Sequence, residues 1–213
     1  DESCLLIIND ADLCDERLFK SGLTILGQLQ NAAISSRQFV NGCCSAVRKQ
    51  LLNIILPIPE DVTNNHDGWI HDFGDFVRSR KVTPHVLQLY RRHRDNSSLS
   101  IAASLHKISR FDIYEKYKNI DPREGYIKNM AALNLISFRV EEKFSDIVDL
   151  NLDYLKIEEK LKRLIKEREA ISRRIYLLER SRLSRLGFAT ANYINGDYVF
   201  FKGWKSLVKD IFR

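Results

Sequence analysis

The stretch Cys4-Leu5-Leu6-Ile7-Ile8-Asn9-Asp10-Ala11-Asp12 begins as an unbroken apolar run and ends in a polar cluster. An apolar run containing two isoleucines, without alternation, fits a strand buried in an α/β sheet, and the cluster Asn9 to Asp12 ends it. Outward from there the pattern is helical through Leu18, Leu23, Leu26 and Leu29. Gln38 to Val47 then reads as a strand interrupted at Gly42, and Arg48 to Ile55 as a helix stopped by Pro57. His66 to Arg78 reads as a short helix, with Trp69, Ile70, Phe73 and Phe76 near helical spacing, and Val82 to Tyr90 as the next strand. This alternation predicts an α/β layer architecture.

After Ser100 the strands nearly vanish. Helical patterns occupy about Leu99 to Lys118 and Tyr126 to Val140, followed by a long helix from about Glu141 to Leu186 that contains neither proline nor glycine. The simplest division is an α/β domain over residues 1–100 and a helical region over 101–213. Along the long helix, Ile147, Leu150, Tyr154, Ile157, Leu161, Leu164, Ile171, Ile175 and Leu178 recur at alternating steps of three and four, with Arg168 in one expected apolar slot. Such a heptad seam serves either a coiled-coil homodimer or a helix packed on its own domain.

At 213 residues and 44% hydrophobic, the chain is long enough to bury one sizeable core. Its longest apolar runs, such as Ile54 to Pro59, fall far short of the roughly 20 residues that a membrane-spanning helix needs. The four cysteines include the adjacent pair Cys43 and Cys44, and none follows. That spacing suits neither a disulfide framework nor a zinc site, so reduced thiols in a cytoplasmic protein are expected. Residue 1 is Asp1 and the only methionine is Met130, so the chain is expected to begin inside a longer protein.

The net charge of +6 is local. Lys156 to Arg185 holds eleven basic and five acidic residues, a difference equal to the whole surplus. The first hundred residues are therefore no basic nucleic-acid surface, and the basic helix shows no recognised reader motif, so no nucleic-acid partner is expected.

Two clusters are candidates for chemistry: His66-Asp67-Gly68-Trp69 at the start of a helix, and Tyr90-Arg91-Arg92-His93-Arg94-Asp95-Asn96-Ser97 after a strand. A carboxylate is stabilised by the dipole at a helix N-terminus, where Asp67 acts either as a base or only as a cap. The second cluster puts guanidinium groups and an imidazole at the carboxyl edge of a sheet, where α/β folds bind ligands. Arginine there suits phosphate and histidine a divalent metal, unless the run is simply a solvated loop.

In order and spacing these pieces, together with Leu6 to Leu13 and Phe39-Val40-Asn41-Gly42-Cys43-Cys44-Ser45-Ala46-Val47-Arg48, resemble the carboxyl half of the catalytic domain of inverting family 2 glycosyltransferases, rhamnosyltransferase-like members above all. The resemblance covers about residues 4 to 100. It implies a partial GT-A (Rossmann-like) nucleotide-sugar transferase domain acting in bacterial polysaccharide synthesis, followed here by an α-helical region. It also implies Asp67 as the base that deprotonates the acceptor, His66, Trp69 and Arg91 against substrate, and His93 near the diphosphate and a Mg²⁺ or Mn²⁺. The implied partners are a nucleotide-sugar donor and a glycan or lipid-linked acceptor.

The chain departs from the family at Gly68, where a large aromatic residue is usual. Asp10-Ala11-Asp12 has the letters of the family's metal motif but matches a later segment of its pattern, and the donor-binding half is expected before residue 1. The competing reading is a noncatalytic interaction module carrying a coiled-coil helix. At the far end, Gly203 to Arg213 places Trp204, Leu207, Val208 and Ile211 near one helical face among lysines. This is the pattern of an interfacial anchor on an anionic membrane, at the inner face of the cell membrane, and equally that of a helix packed on a core.

Overall fold

The polar cluster Asn9 to Asp12 does not end the first strand. In the computed structural model, which describes residues 3–62, 65–94, 96, 100–150 and 154–212 (side chains of 154–156 aside), β1 runs over Leu6–Cys14. It passes through the cluster because each polar side chain there has a partner. Asn9 Nδ2 donates to the Asp10 carbonyl at 2.7 Å, and Asp12 pairs with Lys20 at 2.6 Å. Asp10 is buried, and its Oδ1 accepts the N–H groups of Ala11 and Leu26 at 2.8 and 2.9 Å.

The expected helix through Leu18 and Leu23 is instead a hairpin. Asp15 Oδ1 accepts the N–H groups of Arg17 and Phe19, Leu18 turns the chain at φ 66°, and β2 follows at Lys20–Thr24. Only then does helix α1, Ile25–Asn31, begin. Thr24 caps it by accepting the Gly27 N–H at 3.0 Å, and Asp10 takes the Leu26 N–H, so two of the helix's unpaired donors are met. The strand expected over Gln38 to Val47 shrinks to β3, Ser45–Val47, because 3₁₀ turns at Ser36–Gln38 and Gly42–Cys44 take up the remainder.

Helices α2, Lys49–Ile55, and α3, Asn65–Phe76, and strand β4, Arg80–Arg91, lie where the pattern predicts them. The four strands form a small mixed sheet. β4 runs parallel to β1 along its whole length, while β2 and β3 pair antiparallel with its two halves and therefore share the opposite edge. Gly74 brings α3 close to β1, since a Cβ there would stand 2.6 Å from Leu6 Cδ2.

The chain divides into two units, residues 1–56 with 66–120 and residues 57–65 with 121–213, so the first extends past residue 100. In the first unit, Ile8, Leu13, Ile25, Leu29, Phe39 and Ala103 belong to one core, and Gln28 fastens α1 to the segment after it through Ser104, His106 and Ile108. Helix α4, Arg110–Tyr117, starts in a capping box between Ser109 and Asp112.

The second unit is helical. α5, Pro122–Glu142, starts with Asp121 as its cap and Pro122 in its first turn. The long helix expected over 141–186 is broken into α6, Phe144–Asp149, α7, Tyr154–Leu178, and α8, Arg182–Ile194. The break after Leu178 needs neither proline nor glycine, because Arg185 reaches back from α8 and donates to the carbonyls of Leu178 and Arg180 at 2.8 and 2.9 Å. Seam residues Ile147, Ile157, Leu164, Ile171 and Leu178 are buried within the chain, with α5 and α8 packed on α7. Tyr154 of that seam falls where side chains lie outside the described residues.

Helix α9, Trp204–Phe212, returns Leu207 and Ile211 onto Leu177, Leu178 and Ala189. Arg174 on α7 forks onto Asp210 with bonds of 2.8 and 2.9 Å, and Tyr198 donates to the same carboxylate at 2.9 Å. Its neighbour Arg173 forks onto Asp197 in the same way. Breaking the buried Arg174–Asp210 pair from one side costs several kcal/mol, about 3–5, because the other charge is left uncompensated, whereas Arg173 stays partly exposed. Among the described residues no helix is long and apolar enough to cross a membrane.

Candidate functional site

Asp67 occupies the first turn of α3, where unpaired N–H groups and the helix dipole favour a carboxylate. Its Oδ2 accepts the Gly42 N–H at 3.0 Å, and its Oδ1 lies 2.9 Å from His66 Nε2. The contact requires glycine at 42, because a Cβ there would stand 2.2 Å from Asp67 Oδ1. The Asp67 side chain keeps 26% of its surface exposed. It opens into a cleft of about 350 Å³ that Gly42, Cys43, Ser45, Val47, Ile70 and His71 line together with His66. That volume stands at the lower end of ligand clefts, roughly 300–1,000 Å³.

A chain of polar groups joins Ser45, His71 and Arg80. Arg80 Nε donates to His71 Nδ1 at 2.8 Å, so the neutral imidazole carries its proton on Nε2. Nε2 then donates to Ser45 Oγ at 2.9 Å, and the Ser45 hydroxyl donates to the Asn41 carbonyl at 2.9 Å. Donation runs from Arg80 through His71 to Ser45 and on to Asn41, so His71 presents a donor and not an acceptor to the serine and is in the wrong tautomer to activate Ser45 as a nucleophile. Burial first, and the Arg80 charge second, push the His71 pKa down to about 4, against a smaller opposing pull from Asp67. Arg80 also donates to the Phe39 carbonyl and to Asp75, so one guanidinium ties the loop before Gly42 to α3. The sequence reading missed this trio. Its one available sign was a histidine four residues after Asp67 inside an apolar helix.

The adjacent thiols add no nucleophile from Cys44. Burial, followed by its neighbour Cys43, pushes the Cys44 thiol up to about 12, so it stays protonated at neutral pH. The two sulfurs stand 3.9 Å apart, and Gln88 on β4 donates to both.

Of the residues singled out from sequence, His66 and Asp67 line the cleft, and the segment around Gly42 joins them there. Trp69 does not. It is 3% exposed, packs on Phe73 at 5.3 Å and donates its indole N–H to the Ile55 carbonyl at 3.0 Å, so it is a core residue and not a wall of the site. Arg91 ends β4 opposite Cys14 and points an exposed side chain from the strand's carboxyl end. His93 follows it, and Asn96 closes that turn by accepting the His93 N–H at 2.6 Å and donating to the Arg91 carbonyl at 3.4 Å. Neither Arg91 nor His93 lines the cleft. Asp95 and Ser97 of the same run lie outside the described residues.

The Asp-x-Asp letters serve the fold, with Asp10 holding the start of α1 and Asp12 paired to Lys20. Among the described residues no three His, Cys, Asp or Glu side chains gather closely enough to hold a metal ion. No family model, curated protein or solved structure matches this chain.

Proposed function

We propose that the first unit is the acceptor-activating part of a GT-A-like inverting glycosyltransferase, in which Asp67 takes the proton of an acceptor hydroxyl. The observation that carries this reading is the Gly42–Asp67 contact. It joins, at one open cleft, two segments that are far apart in sequence and that both belong to the family-like pattern. The parallel β1–β4 pair, with α3 leading into β4, supports the same reading at the level of the fold.

Each carboxylate oxygen has two lone pairs, so a bond from Gly42 to one oxygen and from His66 to the other leaves room on both for an acceptor hydroxyl. The Gly42 N–H fixes the plane of the carboxylate before substrate arrives, which is the preorganisation that general-base catalysis rewards. The acceptor oxygen attacks the sugar's anomeric carbon, the bond from that carbon to the nucleotide diphosphate breaks, and the acceptor proton passes to Asp67. A single displacement inverts the centre. Arg91, at the carboxyl end of β4, is proposed as a diphosphate contact, since a guanidinium pairs with phosphate in two-point geometry.

The test is Asp67→Asn in the full-length protein, assayed for nucleotide release and sugar transfer over a panel of nucleotide-sugar donors. Asparagine keeps the oxygen that Gly42 needs. Turnover is expected to fall by about 10²–10⁴-fold with donor affinity nearly unchanged, as for a lost general base. Transfer within about threefold of wild type would remove Asp67 from the mechanism. A wild-type protein that transfers sugar from none of the donors would favour the noncatalytic module instead.

A further inference from the structure

Helix α9 has two apolar faces, and among the described residues only one of them is packed. Leu207 and Ile211 turn onto Leu177, Leu178 and Ala189 of the second unit. On the other side, Trp204, Val208 and Phe212 remain 62%, 42% and 77% exposed. Their spacing of i, i+4, i+8 aligns them as one stripe along the helix. Lys205 and Lys209, both exposed, stand one position further round beside that stripe. The helix's only acid, Asp210, is buried and already neutralised by the fork from Arg174. The outward face of α9 is thus apolar and positive, with no negative charge of its own.

We propose that this face docks on an anionic lipid surface, with Trp204, Val208 and Phe212 immersed at headgroup level and Lys205 and Lys209 against the lipid phosphates. Two observations favour lipid over a protein partner. The stripe is three side chains wide and offers roughly 400 Å² of apolar surface, whereas a stable protein interface takes about 800 Å² from each partner. A bilayer needs no matching surface, and an exposed tryptophan flanked by lysines suits the chemistry of the interface layer. This proposal lies wholly in the second unit and does not rest on the role of Asp67.

The experiment uses the full chain with vesicles of phosphatidylglycerol mixed into phosphatidylcholine, and of phosphatidylcholine alone. The chain has two tryptophans, and Trp69 is already buried, so a blue shift of emission on vesicle binding reports Trp204. Co-sedimentation with the anionic vesicles only, a blue shift, and release in high salt are the expected results. Lys205→Gln with Lys209→Gln should weaken binding about 25-fold, near fivefold for each lysine removed from the surface. Trp204→Ala with Phe212→Ala should abolish the binding while circular dichroism and the unfolding midpoint stay close to wild type, because both side chains are exposed. No binding to anionic vesicles, equal binding to neutral ones, or undiminished binding by the lysine variant overturns the proposal. So does concentration-dependent self-association that the Trp204 and Phe212 variant removes, which would make the face a protein interface.

Discussion

Acidification from pH 7 towards 4 presents His71 with a proton that its surroundings have no place for. Its Nδ1 accepts from Arg80 Nε at 2.8 Å, so a second ring proton must break that bond and set two cations face to face in a buried site. The groups that bear on it are Arg80 from β4, Ser45 from β3, Asp75 through its bond to Arg80, and Asp67 one turn earlier on α3. Burial and Arg80 lower the folded pKa from 6.5 to about 4, and Asp67 only partly offsets them. The unfolded chain therefore binds a proton between about pH 6.5 and 4 that the folded chain refuses, and stability falls as the pH falls through that window. With about 1.4 kcal/mol per pKa unit, the contribution attributable to His71 is at most about 3–4 kcal/mol, fully present above the unfolded value and gone below the folded one. Urea unfolding of wild type and His71→Gln at steps from pH 7 to 4, followed by far-ultraviolet circular dichroism, isolates this component from the carboxylates that titrate in both proteins. The wild type should lose stability more steeply than the variant. Two curves that stay parallel within about 0.5 kcal/mol would refute the buried neutral histidine.

Gly42→Ala should cost about 1–2 kcal/mol, the worth of a hydrogen bond to a charged group at a partly exposed site, and should cut turnover as Asp67→Asn does. In an Asp67→Ala background the same change should cost almost nothing, since no carboxylate remains to collide with the new Cβ, and an undiminished urea-midpoint shift there would exclude the contact. Helices α1 and α3 both end in a left-handed residue that is not glycine, Ala33 at φ 51° and Arg78 at φ 55°. Around each, the paired bonds that close a helix are present, Ile34 to Leu29 with Ala33 to Gln30, and Ser79 to Gly74 with Arg78 to Asp75. Relief of backbone strain slightly exceeds glycine's added unfolded-state entropy, so Ala33→Gly and Arg78→Gly should each raise stability by up to about 1 kcal/mol. A fall in the thermal midpoint of either variant would count against the left-handed backbone there.

Periods of two to four residues are local, so the sequence by itself determined what depends on them. The helices near Arg48, His66 and Tyr126 and the strand before Arg91 fall within a few residues of their predicted places, because each carries its own apolar pattern. The location of Asp67 in the first turn of a helix was legible for the same reason. Stops written without glycine or proline were not. The end of α7 is made by an arginine seven residues on, and the ends of α1 and α3 by alanine and arginine in a conformation glycine usually takes. Only the tertiary structure decided which polar groups are buried and with whom. Asp10 lies inside a strand because Leu26 donates to it, Trp69 is core because Ile55 accepts its indole N–H, and His71 is held neutral first by its burial and then by Arg80, which arrives nine residues later in the chain. The same holds for α9, whose apolar residues look like one stripe in sequence and are divided in space between an inner and an outer face. A hydrogen bond or a packed side chain stabilises a conformation only when its partner is present, and for these residues the partner is supplied by the fold and not by the neighbouring sequence.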